Sequence, residues 1–153
     1  SNLIEQGYRY DVVDAVLASQ HNNPAGVLRA VRQLTIWVGK PDWNTTLQAY
    51  ARCVRITRDQ KEIHPINEQL LNEPTEKELF SALKKVEEAA REGDSVDEVF
   101  TRFVPMIPAI NRFFDAVLVM AENPAIRSNR LGLLQRISAL PKHAADLSLL
   151  EGF

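Results

Sequence analysis

Apolar positions along this chain recur every three or four residues and almost never alternate, which predicts helices rather than strands. In YRYDVVDAVLAS, Val12, Val13, Val16 and Leu17 form a stripe at helical spacing. Asn23 followed by Pro24 predicts the start of a second helix: Asn accepts the unpaired N–H groups of a first turn, and proline fits its first position. Val27, Leu28, Val31, Leu34 and Val38 supply the core face of that helix, and Gly39 ends it. Asp42 is placed to cap a third helix packing Leu47, Tyr50, Ala51 and Val54. Residues 59–74 carry two prolines and no sustained period, so they are expected to be a loop and the least ordered internal segment, with a short turn around Glu68–Leu71.

Beyond the loop, Thr75 with Glu78 has the form of a capping box and predicts a helix as far as Gly93. Asp94 or Ser95 caps the next segment, which Pro105 and Pro108 interrupt. FFDAVLVMA predicts a helix continuing almost to Asn123-Pro124, AIRSNRLGLLQRISAL a further one, and HAADLSLL a short last one. The expected fold is an all-α, single-domain bundle over residues 1–153, with about seven to eight helices.

Composition narrows the class without naming a chemistry. With 45% hydrophobic and 25% charged residues, the chain has the make-up of a soluble globular domain. Its apolar runs are too short to span a bilayer, and no secretory signal is evident. Cys53 is the only cysteine, so an internal disulfide is excluded and a cytoplasmic setting is expected. Cys53 lies between core positions of the third helix and is read as a buried, inert thiol. His21, His64 and His143 stand far apart and show no metal-ligand spacing. Phosphate-binding glycine loops and nucleophile elbows are absent from the sequence. No catalytic residue, cofactor or metal is assigned.

Charge changes the picture more. Residues 24–61 hold seven bases against two acids, for a net +5. Residues 62–98 hold eleven acids against four bases, for a net −7, so the overall charge of −2 conceals two opposed segments. A basic face suits a polyanion. On the third helix Gln48, Arg52 and Arg55 lie opposite the core arc, with Arg58 at its edge. Arginine forks onto phosphate and stacks on unpaired bases, so these four residues are candidate RNA contacts. Arg29 and Arg32 on the second helix read as ordinary solvated residues. Near the start of the tail helix, Arg127 and Asn129 flank the apolar arc and are further candidates, whereas Arg130 projects into its middle. A buried guanidinium needs a partner, so Arg130 is read as an internal brace, with Asp115 or Glu122 as its carboxylate.

FFDAVLVMAENPAIRSNRLGLLQRISAL resembles the C-terminal end of bacterial glycyl-tRNA synthetase beta subunits, where FFD-x-V-x-V-M precedes an acidic turn and then L/I-R-x-N-R-L-x-L-L. GYRYDVVDAVLA is similar to the start of the same terminal region, and YARCVRITR resembles a helix of DALR-type anticodon-binding domains, which arginyl-tRNA synthetases share. Pro141 departs from the pattern, interrupting a stretch that is usually apolar. The resemblance implies the end of a longer beta chain that recognises the anticodon of glycine tRNA. It also implies that ATP and glycine bind at an alpha subunit, that the alpha subunit and the remaining beta chain are partners, and that neither membrane nor DNA is one. Two anticodon cytosines would then be read, for which Asn129 with Arg127, or Gln48 with Arg52 and Arg55, have suitable donors and acceptors. The alternatives are a non-catalytic helical protein-interaction module, docking through Ile36 and Trp37 or the acidic helix, and the anticodon-binding domain of an arginyl enzyme.

Overall fold

A computed structural model describes residues 2–20 and 23–153 of the chain; His21 therefore lies outside the described residues. Eight α-helices are present among them: α1 (Asn2–Glu5), α2 (Tyr10–Gln20), α3 (Pro24–Val38), α4 (Trp43–Thr57), α5 (Pro74–Ala89), α6 (Val96–Phe103), α7 (Ile107–Ala116) and α8 (Pro124–Ala139). Single 3-10 turns lie at Glu68–Leu70, Val104–Met106 and Leu147–Leu149, and no strand occurs among the described residues. The all-α expectation and the helix number are both met.

Local chemistry sets most helix starts. The Asn23 side chain accepts from Gly26 N–H at 3.2 Å, and the Asn123 side chain accepts from Ala125 and Ile126. Ser95 and Glu98 form a reciprocal capping box at the start of α6. Three boundaries differ from the sequence pattern. At α5 the reach-back comes from Glu76, whose Oε1 accepts the Glu73 N–H at 2.9 Å, so the box begins two residues before Thr75. α5 stops at Ala89, and Gly93 adopts φ +83°, a conformation that favours glycine. α7 stops at Ala116, because Val117 turns extended (φ −127°, ψ 150°) and opens a loop from 117 to 123. After buried Pro141 the chain forms turns rather than the expected helix, and the Asp146 N–H docks on the Ala15 carbonyl of α2 at 2.8 Å.

α2 packs on α3, α3 on α6, and α4 on α7 and α8, while α5 is held between α7 and α8. Leu131, Gly132, Leu133, Leu134 and Ile137 of α8 are all buried, so that helix is covered on most sides instead of presenting a single apolar stripe. Leu34, Leu47, Leu79, Leu83, Phe100, Ile110 and Phe113 complete the centre. Leu17, expected in the core, is 37% exposed. Trp37 is half-buried: its indole N–H donates to Asp97 at 2.8 Å and its ring leans on Phe100, which leaves only Ile36 open on the proposed docking surface of α3.

Candidate nucleic-acid interface

Leu47, Tyr50, Ala51 and Cys53 are buried on the inner side of α4, and that packing turns Arg52, Arg55 and Arg58 outward. The Arg52 guanidinium lies 4.1 Å from the centroid of the half-buried Phe114 ring at the end of α7. A cation held over an aromatic face keeps its planar group extended along the surface, with its edge donors open to water. Gln48 and Arg55 are engaged differently. Gln48 Nε2 donates to the Gly152 carbonyl, while Arg55 donates to the Phe153 carbonyl at 3.1 Å and to Gln48 Oε1 at 3.3 Å. Residues 152–153 thus occupy the Gln48 and Arg55 positions of the stripe. Among the described residues, neither Arg52 nor Arg58 makes a side-chain hydrogen bond or ion pair.

Arginines from residues 102–136 cover the acidic segment. Arg112 grips Glu78 with two hydrogen bonds of 2.9 and 3.0 Å, Arg136 pairs with Glu87, and Arg102 reaches Asp94 at 2.7 Å. The hydrogen bond from Arg112 holds the Glu78 carboxyl below the ordinary range, and that from Arg102 does the same for Asp94. No such neutralisation reaches α4: Arg52, Arg55 and Arg58 are in no ion pair among the described residues. The basic end of the linear charge asymmetry therefore survives folding, while much of the acidic end is cancelled. Burial pushes the Cys53 thiol up to about 12, which removes it as a nucleophile at neutral pH.

The tail-helix candidates separate. Arg127 is half-buried at the start of α8 and donates to the Ala121 carbonyl at 2.9 Å, fastening the 117–123 loop. Asn129 is 2% exposed, and its amide accepts the Asn67 N–H at 2.6 Å and donates to the Asn67 carbonyl at 2.8 Å. With both ends of its amide engaged in the interior, Asn129 is no base reader in this fold. Arg130 is the brace, but its carboxylate is Glu76 at 2.8 Å rather than Asp115, and Nη1 donates to the Leu118 carbonyl at 2.7 Å. Asp115 is exposed, out on the surface of α7, and Glu122 contributes only a backbone carbonyl nearby.

One end of the bundle collects these features. His64 lies 2.9 Å from Ser128, so the loop leaving α4 at Arg58 runs beside the start of α8, next to Arg127. The loop from 117 to 123, tied down by Arg127 and Arg130, lies on the same end. Three large apolar side chains are exposed on these two loops: Ile63 at 81%, Leu118 at 70% and Met120 at 48%. Sequence periodicity missed the loop anchors, because Ser128, Gly132 and Gln135 look like interruptions of an apolar helix. The only signal was their common spacing of three to four residues.

Residues 46–148 match the model of the DALR anticodon binding domain. The chain belongs to that family. This DALR domain is also similar to the glycine–tRNA ligase beta subunit of Anaeromyxobacter dehalogenans (strain 2CP-C), 36% identical over 148 residues, covering 92% of this chain and 21% of the relative. The beta subunit of Lacticaseibacillus casei is 32% identical over 94% of the chain, and that of Acidovorax sp. (strain JS42) 37% identical over 97%, each again covering 21% of the relative. The DALR domain thus spans about a fifth of the length of these relatives. The match to the family covers the α4 stripe, the loop after it and all of α8, the elements that form the basic end of the bundle. Among the described residues, no group of His, Cys, Asp and Glu is placed to hold a metal, and no helix is long and apolar enough to cross a membrane.

Proposed function

We propose that this chain is the anticodon-binding domain, a single folding unit, of the beta subunit of a two-subunit glycine–tRNA ligase, working in the cytoplasm. In this reading the domain grips the anticodon arm of glycine tRNA while ATP-dependent glycylation takes place at an alpha subunit. It needs no cofactor or metal of its own. Its other partners are the alpha subunit and the rest of the beta chain. Arg52 and Arg58 would lie along the RNA backbone, with Arg55 and Gln48 able to join when the terminal residues give way. Arg127 would act at the margin, sharing its guanidinium between loop carbonyls and phosphate.

One observation carries the reading: in an anticodon-binding family, the arginines of α4 stay exposed and in no ion pair among the described residues, while Glu76, Glu78 and Glu87 of α5 and Glu98 of α6 are paired with arginines. The similar proteins are glycine–tRNA ligase beta subunits, which favours glycine over arginine as the amino acid. Binding of a glycine-tRNA anticodon stem-loop at two salt concentrations is the test. Affinity should fall as salt rises, because each neutralised phosphate releases counterions. A domain that binds no stem-loop even at low salt would instead support a protein-interaction role.

A further inference from the structure

The loop between α4 and α5 is irregular in its backbone, yet α8 holds it at several points. Gln135 does so in an unusual way. Its Oε1 accepts the His64 N–H at 2.9 Å, and its Nε2 donates to the Glu62 carbonyl at 2.8 Å. One side-chain amide therefore brackets the backbone on either side of Ile63, as a neighbouring strand would. Six residues earlier on α8, Asn129 pins the loop again by bonding the N–H and the carbonyl of Asn67 itself. Between them Gly132 lets the His64 carbonyl approach so closely that any side chain there would collide with it. The His64 ring is held as well, between Ser128 Oγ at 2.9 Å and Gln60 Oε1 at 3.1 Å.

The residue at the centre of this bracket is 81% exposed, the most exposed of the large apolar side chains described. A scattered exposed isoleucine needs no explanation on a floppy loop. Here the backbone is pinned on both sides, so the side chain cannot turn inward to leave water. Holding an aliphatic group rigidly in solvent is preorganisation for a contact. Charge indicates which kind. Past Arg58, Asp59 and Glu62 outweigh Lys61, so residues 59–63 offer phosphate little attraction. Immediately beside them stand the uncompensated arginines of α4. Aliphatic side chains make favourable contacts with base faces and wedge between unstacked bases.

We propose that Ile63 is a base-contacting residue of this domain, a fixed apolar tip that lies against an unpaired base, and that Gln135 is the positioning residue that presents it. The proposal rests on the RNA-binding reading above. Ile63→Ala should weaken binding of the anticodon stem-loop about tenfold, leave its salt slope unchanged, and leave affinity for a fully paired RNA of equal length unchanged. Gln135→Ala should weaken stem-loop binding in the same direction. The double variant should then be no weaker than Gln135→Ala alone, since residues acting through one contact are not additive. If Gln135→Ala does not fold, the Ile63→Ala result decides by itself. Stem-loop affinity of Ile63→Ala within twofold of the parent overturns the proposal while leaving RNA binding intact. So does an equal loss on paired RNA with a shallower salt slope, which marks a backbone contact. A parent domain that binds neither RNA overturns the underlying reading, and this inference with it.

Discussion

Replacing Arg130 by alanine should be among the most damaging single changes in the molecule. Glu76 is 1% exposed, and among the described residues its carboxylate accepts from two donors, the Glu73 N–H and Arg130 Nε. Without the guanidinium, a buried anion keeps one backbone N–H, and the Leu118 carbonyl loses its donor as well. Breaking one side of such a pair costs about 3–5 kcal/mol, because the remaining charge stays desolvated. For a domain of this size about 1 kcal/mol moves the melting temperature by roughly 2–4 °C, so a fall of about 10 °C is expected. Thermal and urea unfolding followed by circular dichroism would measure it. Replacing both partners by apolar residues of similar volume, Glu76→Leu with Arg130→Met, should recover most of the loss, since no unpaired charge then remains. Stem-loop affinity, measured well below the melting temperature, should survive in that double variant. A single Arg130→Ala variant that melts within about 2 °C of the parent yet no longer binds RNA would refute the reasoning, placing Arg130 at the interface instead of inside it.

Arg52→Ala and Arg58→Ala should each weaken stem-loop binding and make the salt dependence shallower by about one phosphate contact, with nearly unchanged unfolding curves. Gly132→Ala should destabilise by roughly 1–3 kcal/mol, because the new methyl displaces the His64 carbonyl; an unchanged urea midpoint would show that the loop yields freely. Arg102 depresses Asp94 in the fold, so the stability this carboxylate contributes is fully present above the usual range near ~4 and is lost as pH falls through its lower native value. Asp94→Asn should therefore flatten the acid side of the stability profile. Cys53 should stay unmodified by thiol reagents in native protein and react only on unfolding, consistent with its burial.

Helix existence was legible because its determinants are local. Asn23, Ser95 and Asn123 each cap a helix through atoms two or three residues away, and proline marks where four of the helices begin. What the pattern could not carry was any bond whose partner is distant in the chain. The apolar run through Val117 and Val119 looks like more helix, but Arg130 holds the Leu118 carbonyl within it and Arg127 the Ala121 carbonyl after it, and those bonds outweigh local preference. Asn129 has the chemistry of a base reader, and only its partner 62 residues away shows it to be a clamp. A separation of 54 residues likewise conceals Glu76 as the partner of Arg130. Aperiodic sequence at 59–74 looks loose, because irregular backbone and weak restraint are indistinguishable in one dimension. For the candidate interface, the α4 stripe was readable from helical phase alone. Which arginines remain uncompensated depended on pairings between α5 and α8 that no spacing rule reveals.

The central position of α8 also dictates an order of events during synthesis. Tyr50, residues 62–67 and Glu76 all bond to α8, across separations of 54 to 88 residues. None of those bonds can close until α8 itself has been made. Loop closures of that span are slow to form, so the helices that precede α8 emerge from the ribosome without their packing partner. Until then the loop around Ile63 lacks its bracket and α4 lacks one of its supports. A nascent chain that stalls before residue 124 should therefore bear the arginines of α4 while the bonds to α8 that fix Tyr50 and the 62–67 loop are still unmade.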